Sequence, residues 1–157
     1  RHDDSSLLFN SLNQLVHFDE DLIQYLTGVF LHFDQETGTL RYLNAGHYEP
    51  LVFDYEGNVR GLPGSGPPLG MFRGSTYELG EARLQAGDLV VLYTDGLVDV
   101  ETSEGDYFGT QGITAAIKEH RNLPLQQISE QVVRSAERFA GADSFEDDAT
   151  LFLMRIK

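Results

Sequence analysis

The chain has 157 residues, 25 of them acidic against 11 Lys and Arg, and a formal net charge of −14. A nucleic-acid groove needs the opposite sign, and an anionic membrane surface is disfavoured for the same reason. The absence of cysteine excludes disulfides, thiolate zinc sites, iron–sulfur clusters and a cysteine nucleophile; 41% hydrophobic and 23% charged residues are ordinary for one globular domain.

The chain opens on Arg1-His2-Asp3-Asp4, which no apolar run follows, so it is no signal peptide. No stretch approaches the roughly 18–20 apolar residues of a membrane span. The absence of cysteine is compatible with a reducing cytosol, and a cytoplasmic location is the expectation. Because position 1 is Arg, the chain is expected to be a piece of a longer polypeptide.

Leu7, Leu8, Leu12, Leu15 and Val16 fall on one helical face behind Ser5 or Ser6, which predicts a helix over 6–17. Asp19, Glu20 and Asp21 follow in a connector. The run 26–33 reads as a strand, 35–38 as a turn ending on Gly38, and 40–43 as the returning strand of a hairpin. A third short strand spans 51–55, and Glu56-Gly57-Asn58 turns it back. Residues 61–70 hold four glycines and three prolines and can only be a loop.

A strand is predicted over 76–84. After the turn at 85–87 comes a second, over 88–94, whose five consecutive apolar residues Leu89–Tyr93 leave neither face polar. That strand belongs in the middle of its layer, buried on both sides. Helices are predicted over 112–120 and 125–139, the second with an apolar stripe of Ile128, Val132, Val133, Ala136 and Phe139. A last strand spans 149–156. Strands cluster with hairpin turns and no regular βαβ alternation, so the predicted class is α+β with a mostly antiparallel sheet.

Several motifs are missing. The Gly-rich loop lacks the Lys-Ser/Thr ending of a phosphate-binding P-loop, no G-x-S-x-G elbow or H-E-x-x-H occurs, and the segment from Asp95 lacks the acid ladder of an EF-hand. What stands out is where the acids lie. No Lys or Arg occurs between Arg83 and Lys118, a gap holding Asp88, Asp95, Asp99, Glu101, Glu104 and Asp106. None occurs between Arg138 and Arg155, where Asp143, Glu146, Asp147 and Asp148 lie. Acids without local cations repel one another unless something neutralises them, and a hard divalent cation with oxygen ligands would do so.

Asp95 follows the buried strand and Asp147–Asp148 precede the last one. If those strands are antiparallel neighbours, the three acids meet at one end of the sheet. Adjacent residues at a strand start point to opposite faces, so only one of the pair would face the ion together with Asp95. Each piece also has a plainer reading: Asp-Gly after a strand is a turn, Asp147–Asp148 a solvated loop, and His47 a hydrogen-bonded loop histidine.

Taken together, these residues resemble a known family. The hairpin Asp34-Gln-Glu-Thr-Gly-Thr-Leu-Arg-Tyr-Leu-Asn-Ala-Gly-His47 is similar to one in the bacterial SpoIIE/RsbU-like serine phosphatases of the metal-dependent PPM (protein phosphatase 2C-like) superfamily. The likeness continues in order through Pro68-Leu69-Gly70, Gly87-Asp88 to Thr94-Asp95-Gly96-Leu97 with Asp99, Phe108-Gly109 and Asp147-Asp148-Ala149-Thr150-Leu151. It covers essentially the whole chain.

The resemblance implies an α+β, PPM-type sandwich of two mainly antiparallel sheets flanked by helices. It implies that Asp95 and Asp147 are metal ligands and catalytic residues, with Asp148 a weaker candidate and Asn44, Gly46 and His47 structural. The implied cofactor is Mn²⁺ or Mg²⁺, two ions in the complete domain, activating a water that attacks phosphoserine or phosphothreonine. The implied partner is a phosphorylated anti-sigma-factor antagonist-like protein, with an upstream sensor or receiver domain in the same polypeptide.

The family begins with a further stretch carrying a G-D-x-x-G-H-G type motif, whose Asp bridges the metals, and nothing here matches it. Residues 1–157 are therefore expected to be the C-terminal portion of the domain, with part of the metal site and little activity alone. A catalytically inactive phosphatase-like module that binds a signalling partner is the rival reading, and an acidic structural domain with an incidental Ca²⁺ site is a third.

Overall fold

The computed structural model describes residues 5–16, 25–141 and 147–157. The acidic connector 19–21, Asp143 and Glu146 lie outside the described residues. The fold is α+β, with helices and two antiparallel sheets, in two compact units.

The first unit is Arg1–Glu49 with Leu62–Gln85. It holds helix α1 (Ser5–Val16) and a sheet of β1 (Gly28–Asp34), β2 (Thr39–Ala45) and β5 (Gly80–Arg83) in the order β1-β2-β5. The β1–β2 hairpin closes on its sequence chemistry. Asp34 Oδ1 accepts the amides of Glu36 (2.9 Å) and Thr37 (3.1 Å), and those bonds, Thr37's first, hold its carboxyl below the ordinary range. Gly38 then takes φ +65°, where a side chain is strained.

Helix α1 forms where predicted, and Leu12 and Val16 of its predicted stripe pack against the core, but the rest of the stripe does not. Leu7, Leu8 and Leu15 are exposed. The buried side is Phe9, whose ring packs edge-on against Phe30 and Tyr77, together with Asn13. Asn13 Oδ1 accepts from the Gly70 amide (2.8 Å) and the Tyr77 hydroxyl (3.2 Å), and its Nδ2 donates to the Phe72 carbonyl (3.1 Å). A buried amide with three partners orients the helix more firmly than exposed leucines can. The strand predicted over 76–84 is shorter for a related reason. Tyr77 is drawn into this cluster and Glu78 N–H donates to Ser65 O, so only Gly80–Arg83 pairs with β2.

The second unit is Pro50–Gly61 with Ala86–Lys157. Its sheet is β4-β3-β6-β7, made of β3 (Leu51–Phe53), β4 (Val59–Gly61), β6 (Leu89–Tyr93) and β7 (Leu151–Arg155). Helices α2 (Asp95–Val98), α3 (Gly109–His120) and α4 (Leu125–Ala140) complete it. Strand β6 lies between β3 and β7, as its apolar run requires. Leu89, Val91 and Tyr93 join Leu51 and Phe53 in a core with Ile113, Ile117, Ile128, Val132 and Ala136. On the opposite face Val52 and Val90, paired in register, are buried too.

Strand β4 and helix α2 are too short to leave a periodic signal, and α3 begins three residues earlier than its apolar pattern. The α4 stripe is centred on Ile128, Val132 and Ala136, with Phe139 at its exposed margin. Gly141, at φ +69°, ends that helix, its amide donating to Glu137 O at 3.0 Å. Ile128 is fully buried. Ile128→Ala is expected to cost about 2–5 kcal/mol, read as a lower denaturant midpoint at unchanged slope. Among the described residues, no helix is long and apolar enough to cross a membrane.

Candidate metal centre

Strands β6 and β7 are antiparallel, Leu89 opposite Arg155 and Tyr93 opposite Leu151. Chain direction therefore brings the residues after β6 beside those before β7. The contact continues beyond the strands. Thr94 N–H donates to Thr150 O (3.1 Å). The Thr94 hydroxyl accepts the Thr150 amide (2.9 Å) and donates to Asp148 O (3.3 Å).

Gly96, in the first turn of α2, lies directly on the same segment. A Cβ built there would stand 2.5 Å from Asp148 O and 3.1 Å from Ala149 Cα. No other residue type fits without moving main chain. Asp95 sits between Thr94 and Gly96, so it is fixed at the same sheet end as Asp147 and Asp148.

All three carboxylates are solvent-exposed. Asp95 Oδ1 accepts the amide of Gly96 (3.0 Å), and Asp147 Oδ1 that of Asp148 (2.7 Å). These local bonds orient each carboxylate while leaving lone pairs for another ligand. Accessible carboxylate oxygens suit a hard divalent cation such as Mg²⁺ or Mn²⁺. Among the described residues, no group of three His, Cys, Asp or Glu is placed to hold a metal. Asp95 and Asp147 are thus donors of the type such an ion takes, and by themselves no more than part of a donor set.

One premise from the sequence fails. Strand β7 starts at Leu151, whereas Asp147 lies in a bend and Asp148 in irregular backbone. The alternation of side chains along a strand therefore does not separate the two. Further along the first cation-free gap the backbone forms a turn. The Thr102 hydroxyl accepts the amides of Glu104 and Asp106 in a turn, and Glu101 pairs with Tyr107, its charge pushing that phenol up.

The Asn44-Ala45-Gly46-His47 motif is structural. Asn44 is fully buried; its Oδ1 accepts the His47 amide (2.9 Å) and its Nδ2 donates to His47 O (3.0 Å). Gly46 has φ +65°, and a Cβ there would lie 2.4 Å from the Pro68 ring. Asn44 N–H donates to Ser65 Oγ (3.0 Å) and Asn44 O accepts from Ser65 N–H (2.8 Å), tying the Gly-rich loop to β2. His47 Nδ1 lies 3.3 Å from Thr27 Oγ1, the plain loop role. Sequence reasoning included Thr94 and Gly96 in the motif around Asp95 but gave neither a role.

Two antiparallel sheets with helices, bearing carboxylates where β6 ends and β7 begins, define a PP2C-like phosphatase fold. The structure superimposes on the SiaA-PP2C domain of Pseudomonas aeruginosa with TM-score 0.83 at 20% identity, over 97% of this chain and 61% of that one. It matches the phosphatase domain of the cell fate determinant SpoIIE from Bacillus subtilis, presoaked with Mn, with TM-score 0.70 at 20% identity, over 99% and 66%.

The family model for stage II sporulation protein E (SpoIIE) matches residues 1–157, and the chain belongs to that family. It is 27% identical over 146 residues to the phosphoserine phosphatase RsbP of Bacillus subtilis strain 168. That match spans 93% of this chain but only 34% of RsbP.

Proposed function

We propose that this chain is the C-terminal portion of a PPM-type serine/threonine phosphatase domain and that Asp95 and Asp147 are metal ligands of its active site. The observation that supports the reading is that the backbone segments bearing Asp95 and Asp147 lie side by side at one sheet end. The β6–β7 pairing brings it about, and the Thr94 hydrogen bonds and the Gly96 contact hold it. Asp95 and Asp147 would help to hold two divalent ions, Mn²⁺ or Mg²⁺, which when bound would supply an acidified water and neutralise phosphoryl oxygens. The chain's own part is to present oxygen donors from backbone anchored to a buried strand, so their geometry survives exposure to solvent.

No protein nucleophile is required, in keeping with a sequence that has neither cysteine nor a serine elbow. By resemblance the substrate is a phosphoserine or phosphothreonine of a regulatory protein of the anti-sigma-factor antagonist kind. An upstream sensor or receiver domain and a cytoplasmic setting belong to the same reading. The likeness to RsbP, a phosphoserine phosphatase, supports the substrate class.

The test is hydrolysis of a phosphoseryl peptide by the full-length protein with Mn²⁺ and with excess chelator. Activity is expected with the metal and none with the chelator. The 157-residue chain alone is expected to fall near background, because its two candidate ligands are only part of a donor set. Activity that survives chelation overturns the metal mechanism. Binding of a phosphoprotein without turnover favours the inactive partner-binding module.

A further inference from the structure

We infer that Thr94 is a positioning residue, its hydroxyl a two-sided clasp that fixes Asp147 relative to Asp95. The inference rests on the metal-site reading above and adds a residue to it. Backbone pairing alone does not hold the segment before β7. The strand itself starts at Leu151, and Asp147 to Thr150 are all exposed. Such a segment has few buried contacts, the condition under which local opening is easy.

Beyond the strand the main chain makes one rung, Thr94 N–H to Thr150 O at 3.1 Å. The side chain adds the other two bonds. A hydroxyl has one proton and acceptor lone pairs, so it can take the Thr150 amide at 2.9 Å and donate to Asp148 O at 3.3 Å at the same time. It thereby grips the chain on both sides of Ala149, one and three residues after Asp147.

Gly96 completes the arrangement from α2. With no side chain, it lets the Asp148 carbonyl approach to where its Cβ would be, at 2.5 Å. Thr94 and Gly96 flank Asp95 directly, so the residues that hold the 148–150 backbone are the immediate neighbours of the other carboxylate. Spacing between the two candidate ligands is thus set locally, by a hydroxyl and an absent side chain.

The test uses Thr94→Val, which keeps the branched shape and the backbone rung and removes only the hydroxyl. Thr94→Ser restores the hydroxyl, and Thr94→Ala serves where Val does not fold. Two quantities are read on the full-length protein: exchange of the Thr150 amide without metal, and the apparent dissociation constant for Mn²⁺ by titration. Thr94→Val is expected to speed Thr150 exchange and weaken Mn²⁺ by about 10-fold, the low end for groups that orient ligands. Thr94→Ser is expected to stay within about threefold of the parent on the same scale.

Unchanged Mn²⁺ affinity in Thr94→Val, with affinity lost in Asp95→Asn, overturns the clasp and leaves the metal site standing. Unchanged affinity in Asp95→Asn and Asp147→Asn overturns the metal site, and the clasp with it. Weakened affinity that serine does not restore also overturns the clasp, because the hydroxyl is then not the cause.

Discussion

Asp147→Asn in the full-length protein is expected to lower Mn²⁺-dependent hydrolysis of a phosphoseryl peptide by about 100-fold or more, beyond the 10–100-fold typical of groups that only orient ligands. The amide keeps the shape and an acceptor oxygen but removes the negative charge where divalent cations would be held. It also weakens the acceptor of the Asp148 amide, now at 2.7 Å. Asp95→Asn is expected to do the same. The double variant should be little worse than either single one, since two ligands of one site act as a unit.

Asp148→Asn is expected to be milder. What the structure uses at that position is its backbone, the carbonyl lying on Gly96 and accepting from the Thr94 hydroxyl. The measurement is rate against Mn²⁺ concentration for the parent and the four variants. Rescue of Asp147→Asn by extra Mn²⁺ places the defect in metal affinity. A more damaging Asp148→Asn would transfer the ligand role to Asp148.

Strand β6 was legible from five apolar residues in a row because burial on both faces is written in composition alone. The β1–β2 hairpin was legible because Asp34 and Gly38 each have one turn role to play. That the segments bearing Asp95 and Asp147 lie at one sheet end followed once β6 and β7 were taken as antiparallel neighbours, which is what they are.

Helix α1 was placed correctly and faced correctly only in part: Leu12 and Val16 pack inward, whereas Leu7, Leu8 and Leu15 are exposed. Leucine spacing cannot show that Asn13 has three hydrogen-bond partners far away in sequence. The strand over 76–84 was overlong because alternation does not show that Tyr77 leaves the sheet for the α1 core. The start of β7 was placed two residues early, and the side-chain argument for Asp147 depended on that start. Thr94 was quoted in its motif but given no role, because a hydroxyl clasp between segments 56 residues apart has no local signature.

Asn44→Ala is expected to destabilise the protein by about 2–4 kcal/mol, the cost of leaving buried polar groups unpaired. Asn44 is fully buried and its side chain spans one loop, taking the His47 amide and giving to the His47 carbonyl. Alanine strands both groups and opens a small void beside Gly46. Asn44→Asp should be no gentler. It keeps the oxygen that accepts from the His47 amide but turns a buried charge toward the His47 carbonyl.

The hydrogen-bond partners of Asn44, namely Ser65, His47 and Tyr48, lie in the first unit, whereas Asp95 and Asp147 belong to the second. Both variants should therefore lower the melting temperature while the folded fraction keeps its apparent Mn²⁺ affinity. The decisive pair of measurements is thermal unfolding and a Mn²⁺ titration on the same samples. A variant as stable as the parent but unable to bind Mn²⁺ would move Asn44 out of the scaffold and into the site. Unfolding with metal affinity intact would keep the motif where its geometry puts it, as the lock on the loop after β2.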